Sequence, residues 1–180
     1  MFKRGVSPVI ATVLLLVITV VIASIIFAFV VPFVNKSLGN SKACLNVLDG
    51  VEFPESKFNC YVDYSLSNPP PFSSPQYETG FSVKVKKAGI VGVRISLIDE
   101  DGNSEVKDIK LGSVEDEANY RLVDSDYNAP LIFPSTGGQR SYVVNVNYSM
   151  AEISPITESG DVCAVSDTVE FTPCASDVEF

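Results

Sequence analysis

The chain has 180 residues, enough for one ordinary globular domain with an appendage. It contains no histidine, which excludes Ser-His-Asp and Cys-His catalysis and every histidine metal site. Its charge is unevenly placed: before residue 49 the charged residues are Lys3, Arg4, Lys36 and Lys42, whereas from Asp49 onward 22 acids outnumber 9 bases. So acidic a region repels a phosphate backbone, which excludes nucleic acid as a partner, and its self-repulsion keeps it soluble.

The first element in chain order is an apolar run. No charged residue occurs from Gly5 to Asn35, and Val6 to Val34 is almost wholly Val, Ile, Leu, Ala and Phe, interrupted by Ser7, Pro8, Thr12, Thr19, Ser24 and Pro32. A membrane-spanning helix needs about 20 apolar residues. In lipid a single segment satisfies its own backbone only as a helix, so the β-branched content does not make this a strand. Lys3 and Arg4 before the run place the N-terminus in the cytoplasm and residues from about 36 onward outside. The run is about twice as long as the apolar part of a secretory signal, and no A-x-A site ends it. It reads as an uncleaved anchor, a long signal cut at an unrecognised site, or a helix retained after a cut on its cytoplasmic side.

The third reading is favoured by Lys3-Arg4-Gly5-Val6-Ser7-Pro8-Val9-Ile10, continued by Ala11-Thr12-Val13-Leu14-Leu15-Leu16-Val17-Ile18-Thr19. About the first 30 residues resemble the start of archaeal type IV prepilins. The resemblance implies a membrane aspartyl prepilin peptidase that cuts between Gly5 and Val6. A small residue at the cut lets a protease approach the backbone closely, and Pro8 lies in the first turn, where its missing N–H costs nothing. Bacterial type IV pilins carry a glutamate near the helix start, where this chain has Ile10. That departure points toward the archaeal pilins, and the N-terminal pattern differs from the Gly-rich start of archaellins. Pro8, Thr12, Thr19 and Ala23 fall on one narrow stripe at helical spacing, with Ser24 and Ala28 as a second small pair. Small residues let helices approach closely.

Lys36-Ser37-Leu38-Gly39-Asn40-Ser41-Lys42 reads as a polar joint, with Gly39 placed to cap or break the helix. Beyond it the period changes to two. Phe81 to Lys86, Val91 to Leu97 and Tyr142 to Tyr148 alternate as half-buried strands do. Lys87-Ala88-Gly89 predicts a tight turn between the first two. Asp99-Glu100-Asp101-Gly102-Asn103 predicts a turn before a strand near Glu105 to Leu111, and it lacks the rest of a calcium loop. Asn68 to Pro75, rich in proline, and Ser135-Thr136-Gly137-Gly138 predict loops. Glu115 and Glu117 sit in a polar stretch and carry no expected catalytic role. The expected class is α+β: a long N-terminal apolar helix followed by an all-β immunoglobulin-like sandwich. Its boundaries are a leader over 1–5, a transmembrane or filament-core helix over 6–36, a linker over 37–42 and an extracellular domain over 43–180.

Cys44, Cys60, Cys163 and Cys174 form no C-x-x-C pair, so two disulfides are expected rather than a metal site. Three connectivities exist, and closeness in sequence favours Cys44–Cys60 with Cys163–Cys174. Asn35-Lys36-Ser37 and Asn147-Tyr148-Ser149 are glycosylation sequons on the exported side. No cofactor, metal or enzymatic activity is expected. The functional expectation is a subunit that leaves the membrane and polymerises with copies of itself or related pilins into an adhesive surface filament. The alternative is a membrane-anchored surface binding module that does not polymerise.

Overall fold

The computed structural model describes residues 8–66, 76–112, 119–127, 129–176, 178 and 180, without the side chains of residues 8, 35–38, 40, 41 and 66. The leader with its Gly5–Val6 junction, the whole proline-rich loop Asn68 to Pro75 and the Glu115–Glu117 pair lie outside the described residues, as do the side chains of Pro8 and Asn35. Helix α1 spans Pro8–Val47 and includes Pro32. It does not stop at Gly39: the polar joint continues the helix, because Lys, Ser, Leu and Asn are all compatible with it and one glycine costs only about 1 kcal/mol. The chain divides into two compact units, Met1–Lys42 and Ala43–Phe180.

The second unit is built from two sheets. One contains β1 (Val51–Glu52), β2 (Cys60–Asp63), β3 (Tyr77–Val85), β6 (Tyr120–Leu122), β7 (Gln139–Val144) and β10 (Thr172–Pro173), in the order β10-β2-β3-β7-β6 with β1 also on β3. The other contains β4 (Ile90–Ile98), β5 (Ser104–Lys110), β8 (Met150–Thr157) and β9 (Asp167–Glu170), in the order β5-β4-β8-β9. Inward-facing alternate residues meet in one core: Phe81, Val83 and Val85 of β3 and Tyr142 and Val144 of β7 from one sheet, Val93, Ile95 and Leu97 of β4 and Ala151 and Ile153 of β8 from the other. Phe81 stacks on Tyr142 with ring centroids 5.5 Å apart. The α+β class with a long apolar helix before a two-sheet β domain is as expected.

The turn expected at Lys87-Ala88-Gly89 is present between β3 and β4, and it carries the chain from one sheet to the other. Two local expectations are corrected. The strand expected over Tyr142 to Tyr148 ends at Val144. There the Thr79 hydroxyl donates to Val146 O at 2.7 Å and accepts Tyr148 N–H at 3.1 Å, taking over ladder positions. The disulfides are Cys44–Cys163 and Cys60–Cys174, not Cys44–Cys60 and Cys163–Cys174. The reason is topological. Cys44 on the last turn of α1 meets the segment between β8 and β9. Cys60 opens β2 beside parallel β10, where Thr172 is its register partner and Cys174 follows two residues on.

Two polar clusters brace the domain. Glu78, buried in β3, receives Arg121 Nη2 at 3.2 Å, Tyr127 Oη at 2.5 Å and Tyr64 Oη at 2.9 Å. Burial, reinforced by the Glu78 carboxylate, raises the Tyr127 phenol well above its ordinary value. Glu105 on β5 accepts Tyr120 Oη of β6 at 2.8 Å and Tyr148 Oη at 2.5 Å, and so links the two sheets at one edge.

Candidate assembly helix

Within α1 the stretch Val9–Val34 is 26 residues long with a mean hydropathy of 3.2, and its most apolar window is 0% buried. At 1.5 Å per residue it measures about 39 Å, against about 30 Å of hydrocarbon. It is long and apolar enough to cross a membrane. Its polar side chains are turned inward on the backbone. Thr12 Oγ1 donates to Val9 O at 2.9 Å, Thr19 Oγ1 to Leu16 O at 2.8 Å and Ser24 Oγ to Val20 O at 2.8 Å. The stripe at Thr12, Thr19 and Ala23 therefore offers close approach rather than spare donors, which suits packing in an apolar setting.

The end of α1 is anchored within the second unit. Val47 is buried, Cys44 is bonded to Cys163, and the backbone turns sharply at Asp49, whose φ is 54°. Gly50 N–H donates to Val47 O at 2.9 Å, and Gly50 O accepts Lys86 N–H at 2.7 Å. A Cβ at Gly50 would lie 2.6 Å from both Val47 O and Ile90 Cδ1, so no larger residue fits. Lys87 Nζ donates to Leu48 O at 2.5 Å, placing a cation at the helix C-terminus where the peptide dipoles favour one. Sequence reasoning named Cys44 as a disulfide residue and Lys87 only as part of a turn, and named neither Val47 nor Gly50. A clue existed in Asp49-Gly50 directly after the last helical hydrophobics.

The Asn147-Tyr148-Ser149 sequon is also tied down. Asn147 Oδ1 is buried with no hydrogen-bond partner among the described residues. Tyr148 is buried with its hydroxyl on Glu105, and Ser149 Oγ donates to Ile98 O at 3.1 Å.

Residues 4–38 match the family described as archaeal type IV pilin, N-terminal. The N-terminal segment is thus similar to that of archaeal type IV pilins. The match covers the basic pair's Arg4, the Gly5–Val6 junction, the whole apolar run and the start of the polar joint, the same residues that carried the resemblance. Pilins of this family are structural subunits that associate with membranes and assemble with related pilins. No curated protein matches the chain.

Proposed function

We propose that this pilin-type chain is a structural subunit of a type IV pilus-like surface filament that serves attachment. In this reading a prepilin peptidase removes residues 1–5, the chain waits in the membrane with residues beyond about 36 outside, and α1 then passes into a filament core. The observation that carries the proposal is the 26-residue uncovered stretch Val9–Val34 inside the pilin-matching segment. A glycan on Asn147 would be attached before the domain folds, because Tyr148 and Ser149 are engaged in the folded turn.

The test is the intact mass of the subunit in purified surface filaments. A subunit beginning at Val6, lost when Gly5 is replaced by a bulky residue, supports the proposal. A chain that retains Phe2 to Gly5 and stays singly in the membrane supports an anchored binding module instead.

A further inference from the structure

The two disulfides, Cys44–Cys163 and Cys60–Cys174, cross in sequence. Together they close a covalent ring from two short segments, residues 44–60 and 163–174. The ring holds the last turn of α1, β1, the first residue of β2, β9 and β10. Hydrogen bonds also join its two segments. Phe53 N–H donates to Asp167 Oδ2 at 2.8 Å, and Ser166 Oγ donates to Val51 O at 2.9 Å. Thr172 is the register partner of Cys60, and Cys174 N–H donates to Tyr61 O at 2.9 Å. Every strand from β3 to β8 lies between Cys60 and Cys163 in the chain, and so outside the ring.

A pull that arrives through α1 and leaves beyond Cys174 has two covalent routes. One crosses from Cys44 to Cys163 and runs about 11 residues to Cys174; the other runs about 16 residues to Cys60 and crosses there to Cys174. Neither route enters β3 to β8, whose Phe81, Val93, Ile95, Tyr142 and Ile153 help make the core. Without the bonds, the same pull would run through those strands in series. Bonds between sequence neighbours, Cys44–Cys60 with Cys163–Cys174, would leave them in series too. We infer that the ring is a tension bypass: force between α1 and the segment after Cys174 is taken by the ring, either bond alone is sufficient, and the two-sheet core is not drawn out. The inference rests on the filament reading for the source of the pull, since a filament that serves attachment is drawn between its helices and its outer surface. The route of the pull follows from the disulfides alone.

The experiment puts click-reactive amino acids at Lys42 and Ser176, both exposed, in the full chain in detergent, and draws them apart with optical tweezers. An extended chain spans about 3.3–3.6 Å per residue, so the oxidised protein should not stretch beyond about 55 Å between the two handles. Cys60→Ser with Cys174→Ser should keep that limit, and Cys44→Ser with Cys163→Ser should raise it only to about 75 Å. These limits are covalent and hold whether or not a variant folds. Reduction of the wild type should release about 470 Å. On relaxation the oxidised protein should recoil without a refolding delay, because β3 to β8 have stayed folded. An oxidised wild type that reaches about 380 Å, the length for bonds between sequence neighbours, would overturn the bypass and leave the filament reading standing. So would a refolding delay as long as that of the reduced protein. The expected lengths in a chain found only singly in the membrane would keep the route and sink the filament reading instead.

Discussion

Val83, Val85, Val93 and Ile95 are fully buried in the β domain, whereas Val13, Val17, Ile22 and Ile26 on α1 stand more than half exposed. The two regions use the same residue types and solve the problem of burial oppositely. In the domain, polar and apolar residues alternate, so each strand covers one face with its own chain. In α1 the apolar residues surround the axis, and no arrangement of a single helix can cover them. Full burial of each such side chain is worth about 1.5–3 kcal/mol. The domain gains that within the chain, and α1 gains it only from lipid or from other helices.

The comparison breaks most completely at Thr19. A lysine there places a charge mid-helix in a stretch that has none. We expect Thr19→Lys to abolish filaments while the β domain keeps its fold, read as filament yield together with circular dichroism of the full chain in detergent. Normal incorporation would show that α1 is an anchor and not an assembly element.

The next effect belongs to the disulfides, which act on the domain alone. The bonds join residues 119 and 114 apart in sequence. With one bond in place, the other closes a ring of only about 27 residues, so in the chain-entropy description losing either costs about 3.5 kcal/mol and losing both about 8 kcal/mol. The larger figure rivals the whole stability of an ordinary domain. Cys60→Ser with Cys174→Ser should therefore leave a folded but weakened domain, and full reduction should unfold it, as measured by denaturant titration. Equal midpoints for the oxidised and reduced protein would contradict this account.

Glu78→Ala should cost about 3–5 kcal/mol, since it leaves the Arg121 guanidinium buried without its carboxylate. Denaturation midpoints of wild type and variant measure this, and α1 should be unaffected. The smallest effect is surface electrostatics. Arg94 holds Asp108 by two bonds of 2.7 and 3.0 Å, which lowers the Asp108 carboxyl below its ordinary range despite partial burial. A depressed carboxylate contributes fully above its unfolded pKa and loses that contribution as pH falls through the folded one. Acidification below about pH 4 should remove about 0.2–1 kcal/mol here. Asp108→Asn should flatten that part of the stability profile.

What the sequence disclosed follows the same division. The helix was legible because an uncharged run of that length has one solution in lipid, the strands at Phe81 and Val91 because strict alternation names its own buried face, and the strand at Glu105 because an Asp-Gly turn precedes it. Which strands paired was not legible. The turn at Lys87-Ala88-Gly89 has the same local chemistry whether it closes a hairpin or crosses between sheets. The disulfides failed for a related reason: closeness in sequence says nothing once the chain from Cys44 to Cys60 runs along one sheet and Cys163 leaves the other. Glu78 and Arg121 lie 43 residues apart and meet only through the register of β3 and β7 with β6.

The central claim is that α1 is covered by other copies while the domain is complete in itself. A cryo-electron microscopy map of purified filaments tests it most directly. The account predicts a lipid-free central bundle of helices beginning at Val6, with Val9–Val34 buried between subunits and two-sheet domains outside. Helices singly embedded in lipid or detergent, with no bundle joining the subunits, would contradict it.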